Sequence, residues 1–235
     1  MNRCLKGRNF LYILLPWLLA GWSCKDQPRH RSDDYAAMPL YCDYRISGDD
    51  ESGHVTVLMQ FRAGGPDGPG MLLEKPAAVL FDGYELTPDS SRNHGVYYEQ
   101  RWLASEFNGH HEVAFITGGG DTLRETFRYP VFGFAQPVPP KMAVADLEIE
   151  LTGLPANDSL HILLLDTSYR NAGIDRYIRL QNNKILLSTD DFSRLEKGPV
   201  LFDIYRDEER ELGETYEAGG RLALSYALHS RFLLE

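Results

Sequence analysis

The stretch HVTVLMQFR (54–62) puts Val55, Val57, Met59 and Phe61 on one side of an extended chain and Thr56, Gln60 and Arg62 on the other. Successive side chains leave a strand on opposite faces, so a period of two marks a strand with one face buried. The same period recurs in LYCDYRI, where Leu40, Cys42, Tyr44 and Ile46 share a face, and in DLEIEL, where Leu147, Ile149 and Leu151 oppose Asp146, Glu148 and Glu150. Helical periodicity is nearly absent after residue 24. An amphipathic helix repeats every 3.6 residues, so this patterning excludes a helical body and points to an all-β chain.

Turn chemistry divides the pattern into hairpins. SGDDESG separates the first two strands, and AGGPDGPG cannot continue a strand, because proline lacks the donor and glycine the side chain. AAVLF and YEL flank Asp82-Gly83, a pair suited to the positive φ angles of a type I′ turn. GVYYEQRWL reads as a further strand, and HEVAFIT with TLRETFRY as a hairpin around GGGD. PVFGFAQPVPP (130–140) then interrupts the chain with four prolines, and a domain boundary is placed at 136/137. Beyond it, SLHILLLDTS is apolar on both faces, as a central strand is. RYIRLQ and KILLS are expected to pair across Asn182-Asn183, since asparagine tolerates the left-handed region. TDDFSRL is expected to form a short helical turn with Thr189 as its cap and Asp190 and Asp191 complementing the dipole. PVLFDIYR and RLALSYALHSRFLL close the chain as two strands around an acidic loop.

The expected fold is therefore two tandem immunoglobulin-like β-sandwich domains, residues 39–136 and 137–235, each with six or seven short strands. The hairpin-rich AVLFDGYEL style loosely resembles the Ig-like modules of bacterial surface lipoproteins. There is no Cys…Trp…Cys core of the antibody type.

The N-terminus reads as an export signal. Arg3, Lys6 and Arg8 precede the apolar run FLYILLPWLLA (10–20), and no acid occurs before Asp26. That run is too short for a membrane span, which needs about 20 apolar residues, and fits a signal h-region of roughly 7 to 15. It ends in GWSCKD, with Gly21 and Ser23 placed for a cut just before Cys24. This resembles the lipobox of bacterial lipoproteins cleaved by signal peptidase II, in the relaxed form of Bacteroidota-type bacteria. Gly21 and Trp22 stand where Leu and Ala or Ser are usual. The resemblance implies a signal peptide over residues 1–23, lipid attachment at Cys24, a polar tether over 24–38, and a cell-envelope location, with Lys25 favouring the outer membrane of a gram-negative bacterium. Acyl chains add about 0.8 kcal/mol per buried CH2, and stable anchoring takes more than one chain.

Cysteine and charge set further bounds. Cys4 leaves with the signal and Cys24 carries lipid, so Cys42 has no partner for an internal disulfide. Loss of Arg3, Lys6 and Arg8 takes the formal charge from −10 to −13. So acidic a chain lacks the positive footprint of a nucleic-acid binder.

No GxSxG, HExxH, P-loop, CxxC pair or EF-hand pattern occurs. His110-His111 is the most metal-like feature, but adjacent strand residues diverge, and two exposed histidines are expected. The acids of DEERELGETYE (Asp207, Glu208, Glu209, Glu211, Glu214 and Glu217) and those of SGDDESG could in principle take calcium, but match no cage spacing and read as solvated loops. GGPDGPG and GGGD precede no helix and are not phosphate cradles. Tyr98 and Trp102, on one face of a strand with Tyr97 on the other, are the candidate binding residues, because aromatic rings suit sugars or a partner's hot spot; rings filling a core is the competing reading.

These observations lead to the expectation of a non-enzymatic, lipid-anchored interaction or structural protein, with no catalytic residues, no cofactor and no metal. Its partners would be the membrane, through the anchor, and an envelope protein. A glycan-binding surface lipoprotein using exposed Tyr98 or Trp102 is the alternative. A hydrolase with an inter-domain site is a third reading, requiring convergent polar residues in one cleft.

Overall fold

Asp82 and Gly83 adopt φ angles of 48° and 80°, the left-handed pair of a type I′ turn, and the chain reverses there as their side chains permit. The computed structural model describes residues 38–92, 95–168, 170, 173–212 and 218–235; the signal, Cys24 and nearly all of the tether lie outside them. A first lobe contains β1 (Leu40–Asp49), β2 (His54–Ala63), β3 (Ala78–Phe81), β4 (Tyr84–Glu85), β5 (Pro88–Ser91), β6 (Gly95–Leu103), β7 (Gly109–Ile116) and β8 (Thr122–Tyr129). A second contains β9 (Gly133–Phe134), β10 (Lys141–Met142), β11 (Leu147–Thr152), β12 (Ser159–Asp166), β13 (Ile174–Arg179), β14 (Lys184–Leu187) and the short helix α1 (Thr189–Ser193). The long strands β15 (Gly198–Glu211) and β16 (Gly220–Leu234) serve both. The chain is all-β, with sandwich layering in each half.

Sheet topology adds what sequence patterning did not foresee. One sheet runs through both lobes in the order β13-β12-β15-β16-β1-β2-β6-β5, with β10 also on β16. In the first lobe it faces the sheet β4-β3-β7-β8, and in the second the sheet β14-β11-β9. The join is the β15–β16 hairpin, paired from Gly198↔Leu234 to Glu211↔Arg221. The first half of β15 takes β12 as its other neighbour. The first half of β16 takes β1, in parallel, from Cys42↔Gly220 to Asp49↔Ala227. A Cβ at Gly220 would lie 2.8 Å from the Cys42 carbonyl oxygen and 2.6 Å from Leu212 Cδ1, so the seam begins where only glycine lets the backbones meet.

Alternation is obeyed where it was clearest. Val55, Val57, Met59 and Phe61 are fully buried, as are Ile46 on β1 and Ile162 and Leu164 on β12. In the first lobe Phe61 packs on Phe115 and edge-on to Tyr98, while Phe81 stacks on Phe107. In the second, Phe192 of α1 meets Phe232 edge-on, with Phe202 and Ile204 beside them in the core. Burying each such side chain contributes about 1.5–3 kcal/mol, which suits a body without a disulfide.

Three local expectations are corrected and one strand is added. RYIRLQ and KILLS do not form a hairpin: Asn182 and Asn183 do take positive φ (53° and 66°), but only Gln181↔Lys184 bridges the turn. β13 joins β12 and β14 joins β11, in opposite layers, so the turn carries the chain between sheets. The cap of α1 is Ser188, not Thr189. Its side chain accepts from Asp191 N while Asp191 accepts from Ser188 N, the reciprocal capping box that an acid three residues on allows. Residues 207–211 are strand, not loop, since β15 continues through Glu211. Pro88–Ser91, unassigned from sequence, forms the edge strand β5 against β6.

Candidate functional site

Cys24 lies outside the described residues. Tyr98 is 3% exposed; its ring meets Phe61 edge-on and its hydroxyl accepts a 2.7 Å hydrogen bond from Leu73 N. Trp102 is half-buried against Phe81 and Phe107, with centroids at 4.8 and 5.7 Å. Opposite Met59 and Val55 on β2, both residues stand on the core-facing side of β6, and Tyr98 offers no ring to a ligand. Tyr97, on the other side, reaches Asp89 at 3.3 Å.

His110 and His111 diverge, as strand geometry requires. His110 is exposed. His111, read from sequence as exposed, is packed: its ring stacks on Phe107 at 4.1 Å and on Phe81 at 5.4 Å. Nδ1 lies 2.7 Å from Asp82 Oδ2 and Nε2 2.7 Å from the Phe107 carbonyl. Both ring nitrogens are engaged, so the histidine ties the β3–β4 turn to the lobe.

The acids of 207–211 are held in strand pairing and by arginines: Glu208 by Arg206 at 3.0 Å and Glu209 by Arg221 at 3.5 Å. Glu214 and Glu217 lie outside the described residues. In SGDDESG, Asp49 accepts from Ser52 N at 2.6 Å and Asp50 from His229 N at 2.9 Å. Among the described residues no group of three or more His, Cys, Asp or Glu is arranged to hold a metal ion, and no helix is long and apolar enough to cross a membrane.

What the structure does assemble is a row of rings on the outer face of the large sheet in the second lobe. Tyr177 on the edge strand β13 pairs with His161 on β12, and His161 with Tyr205 on β15. Tyr177 stacks on His161 at 4.8 Å and 20°, Tyr205 lies 5.8 Å from His161, and His229 on β16 meets Tyr205 edge-on at 6.3 Å. Carboxylates fix the imidazoles: Asp175 Oδ1 is 2.5 Å from His161 Nε2, and Asp203 Oδ1 is 2.9 Å from His229 Nδ1. Burial alone would lower the His229 pKa, but the Asp203 contact and the charges of Asp203, Asp50 and Glu51 outweigh it and raise it. Burial, with Asp203 adding to it, raises the Tyr205 phenol. Tyr177 remains 73% exposed.

The same face of β13 continues to Arg179, which enters an open cleft of about 550 Å³ lined by Asn157, Arg179, Leu180, Gln181 and Asn182. Arg179 Nε donates to the Asn157 carbonyl at 3.2 Å. The cleft walls are two loops tied together by Leu180 N to Asp158 O at 2.8 Å and Asn183 N to Ala156 O at 3.1 Å.

The chain matches no protein-family model and no curated protein. Among solved structures it is similar to the tandem Ig repeats of Dlar, at 11% identity and a TM-score of 0.24, over 80% of this chain and 99% of that one. It is similar also to a structure bearing on the host cell surface retention of a 1.5-MDa bacterial ice-binding adhesin, at 10% identity and a TM-score of 0.26, over 84% and 65% of the two chains. A titin A168169 structure is similar at 10% identity and a TM-score of 0.25, over 81% and 99%.

Sequence reasoning passed over Tyr177. Its signal was present: in IDRYIR the solvent-facing series is Asp175, Tyr177 and Arg179, an aromatic ring where alternation calls for a polar residue.

Proposed function

We propose that this chain is a lipid-anchored cell-envelope protein, held through Cys24 at the outer membrane of a gram-negative bacterium, whose two sandwiches act as a non-enzymatic interaction or structural module. The observation that supports an interaction role is the outer face of the second lobe, where a continuous sheet presents an exposed tyrosine, ordered from below by a histidine whose Nε2 contacts Asp175. Rigid aromatic groups on a flat scaffold contribute contact area at small entropic cost, which is how recognition surfaces are built. The anchor rests on the basic start, the short apolar run and the GWSC box.

Two experiments test the two halves of the reading. Metabolic lipid labelling of the full-length chain is expected to give a labelled product that Cys24→Ala abolishes; label persisting in the variant refutes the assignment. Cross-linking in the native envelope, followed by capture in mild detergent, is expected to recover a partner in stoichiometric yield; a clean bait argues against a structural subunit.

A further inference from the structure

We propose that the β13 edge of the second lobe is a saccharide-binding site for a neutral oligosaccharide, with Tyr177 as the stacking platform and the Asn157–Arg179–Gln181–Asn182 cleft as the polar grip. The inference rests on the interaction reading above and names its ligand.

Tyr177 is the most exposed large apolar side chain among the described residues, at 73%, yet it is not loose. One face of its ring lies on His161, whose Nε2 is held by Asp175. A ring ordered before binding loses little freedom when a ligand covers it. Sugars present a face of C–H groups that gains by lying on an aromatic ring, with hydroxyls around the rim that need donors and acceptors in return.

Arg179 stands two residues on, on the same face and about 7 Å along the strand. Its Nε is bonded to Asn157 O, while neither Nη hydrogen-bonds another described residue. The side-chain amides of Asn157, Gln181 and Asn182 make no hydrogen bond to a described residue either, though all line the cleft. Each amide offers two donors and an acceptor, the mixed set that adjacent hydroxyls satisfy. The nearby carboxylate of Asp158 is held by Arg206 at 2.9 Å. Donors without a free acid fit a polyhydroxyl ligand. An anionic glycan would face Asp175 and a chain of strongly negative charge. A protein hot spot wants a desolvated apolar pocket, but the one apolar residue lining the cleft, Leu180, is itself 2% exposed.

Calorimetric titration of the full chain in mild detergent, with neutral hexasaccharides of glucose (β-1,4 and α-1,4), mannose and N-acetylglucosamine as probes, tests the site. Saturable binding of at least one probe, with Kd of about 1 mM or tighter, is expected. Tyr177→Ala and Arg179→Ala should each weaken it about tenfold or more. Tyr177→Phe should retain it, and Tyr97→Ala, on a distant strand, should leave it unchanged. Both positions are surface ones, and an unchanged thermal midpoint certifies the fold. No binding of any probe up to about 10 mM, or binding indifferent to both variants, overturns the inference. A chain that captures a stoichiometric protein partner while binding none of the probes overturns it and leaves the interaction reading standing.

Discussion

Replacing Ile162 by alanine cuts a hole in one sandwich and asks whether the other feels it. Ile162 has no exposed surface and lies on β12 between Arg176 of β13 and Ile204 of β15. Truncating a buried isoleucine to alanine costs about 2–5 kcal/mol, the lost transfer energy plus the unfilled cavity; about 3 kcal/mol is a fair central value. If each lobe folded alone, the loss would stay in the second. The shared sheet makes that costly, because β15, once loosened from β12, also loses support for its hairpin partner β16, the strand on which β1 is laid. The reporter is Trp102, packed on Phe81 and Phe107 in the first lobe; the other two tryptophans, Trp17 and Trp22, are removed by using a chain that begins at Lys25. With a urea slope of about 2.5 kcal/mol per molar for a chain of this size, the Trp102 midpoint should fall by about 1.2 M and coincide with the far-UV circular dichroism midpoint. The thermal midpoint should drop about 6–12 °C. A Trp102 transition left in place, with a separate earlier phase in circular dichroism, would refute the coupling.

Further perturbations report on single residues. Cys42 is 2% exposed and burial pushes its thiol up to about 12, so an aromatic disulfide reagent should label it only as fast as the protein unfolds; prompt labelling would refute its burial. Burial would raise the Asp191 carboxyl, but Arg176 and Ser188 outweigh it and hold it below the usual range. The unfolded chain then takes up the proton first, near pH ~3.9, so the contribution is present above that value and lost as pH falls through the lower folded-state value. Asp191→Asn should flatten this acid limb in thermal melts, and an unchanged limb would count against it. His229 has the opposite sign: its raised pKa gives a contribution present below about pH 6.5 and lost as pH rises through the folded value. His229→Gln should remove that slope, checked by melts between about pH 6 and 8 and by ring-proton titration of the wild type. Gly83→Ala puts a Cβ at φ 80° in open space and should cost about 1 kcal/mol by backbone strain alone; a neutral result in urea titration would show the turn relaxes.

How far the sequence could be read depended on how local each decision was. β2, β11 and the Asp82-Gly83 hairpin are settled by neighbours within ten residues, and their faces follow. At β6 alternation grouped Tyr98 with Trp102 but did not say which side was the core, because Tyr97 places an aromatic ring on the other face as well; β2 and the Phe61 ring decided it. Asn182-Asn183 carries hairpin chemistry, yet β11 and β12 bind the flanking strands more extensively than they bind each other. DEERE is polar on both faces and so reads as solvent-exposed loop, but β16 supplies its pairing partners and Glu125 of β8 sits 2.5 Å from Arg210. Such pairings depend on partners outside the segment, as far off in sequence as Glu125, and leave no periodic trace within it.

The seam between the lobes answers a problem that tandem sandwiches share. A lone first lobe would expose β1 as an edge, and a lone second lobe would expose half of β16; each is a row of unpaired N–H and C=O groups that invites another chain. Laying β1 parallel on β16 joins the two edges through eight residue pairs from Cys42↔Gly220 to Asp49↔Ala227. Asp43, 2% exposed, reinforces the joint: its carboxylate takes Arg45 of its own strand at 2.5 Å and Arg221 of β16 at 2.9 Å. Tyr129 adds a tie from the facing sheet, donating its hydroxyl to the Ser225 carbonyl at 2.5 Å. The edges of the large sheet that remain open are β5 at one end and β13 at the other. β5 is four residues long and begins with a proline, features that blunt pairing. β13 is longer, and it carries the exposed Tyr177 with Asp175 and Arg179 on either side. These charges discourage strand addition while the ring between them stays exposed, so the longer open edge of the large sheet is guarded by charge and not by shortness.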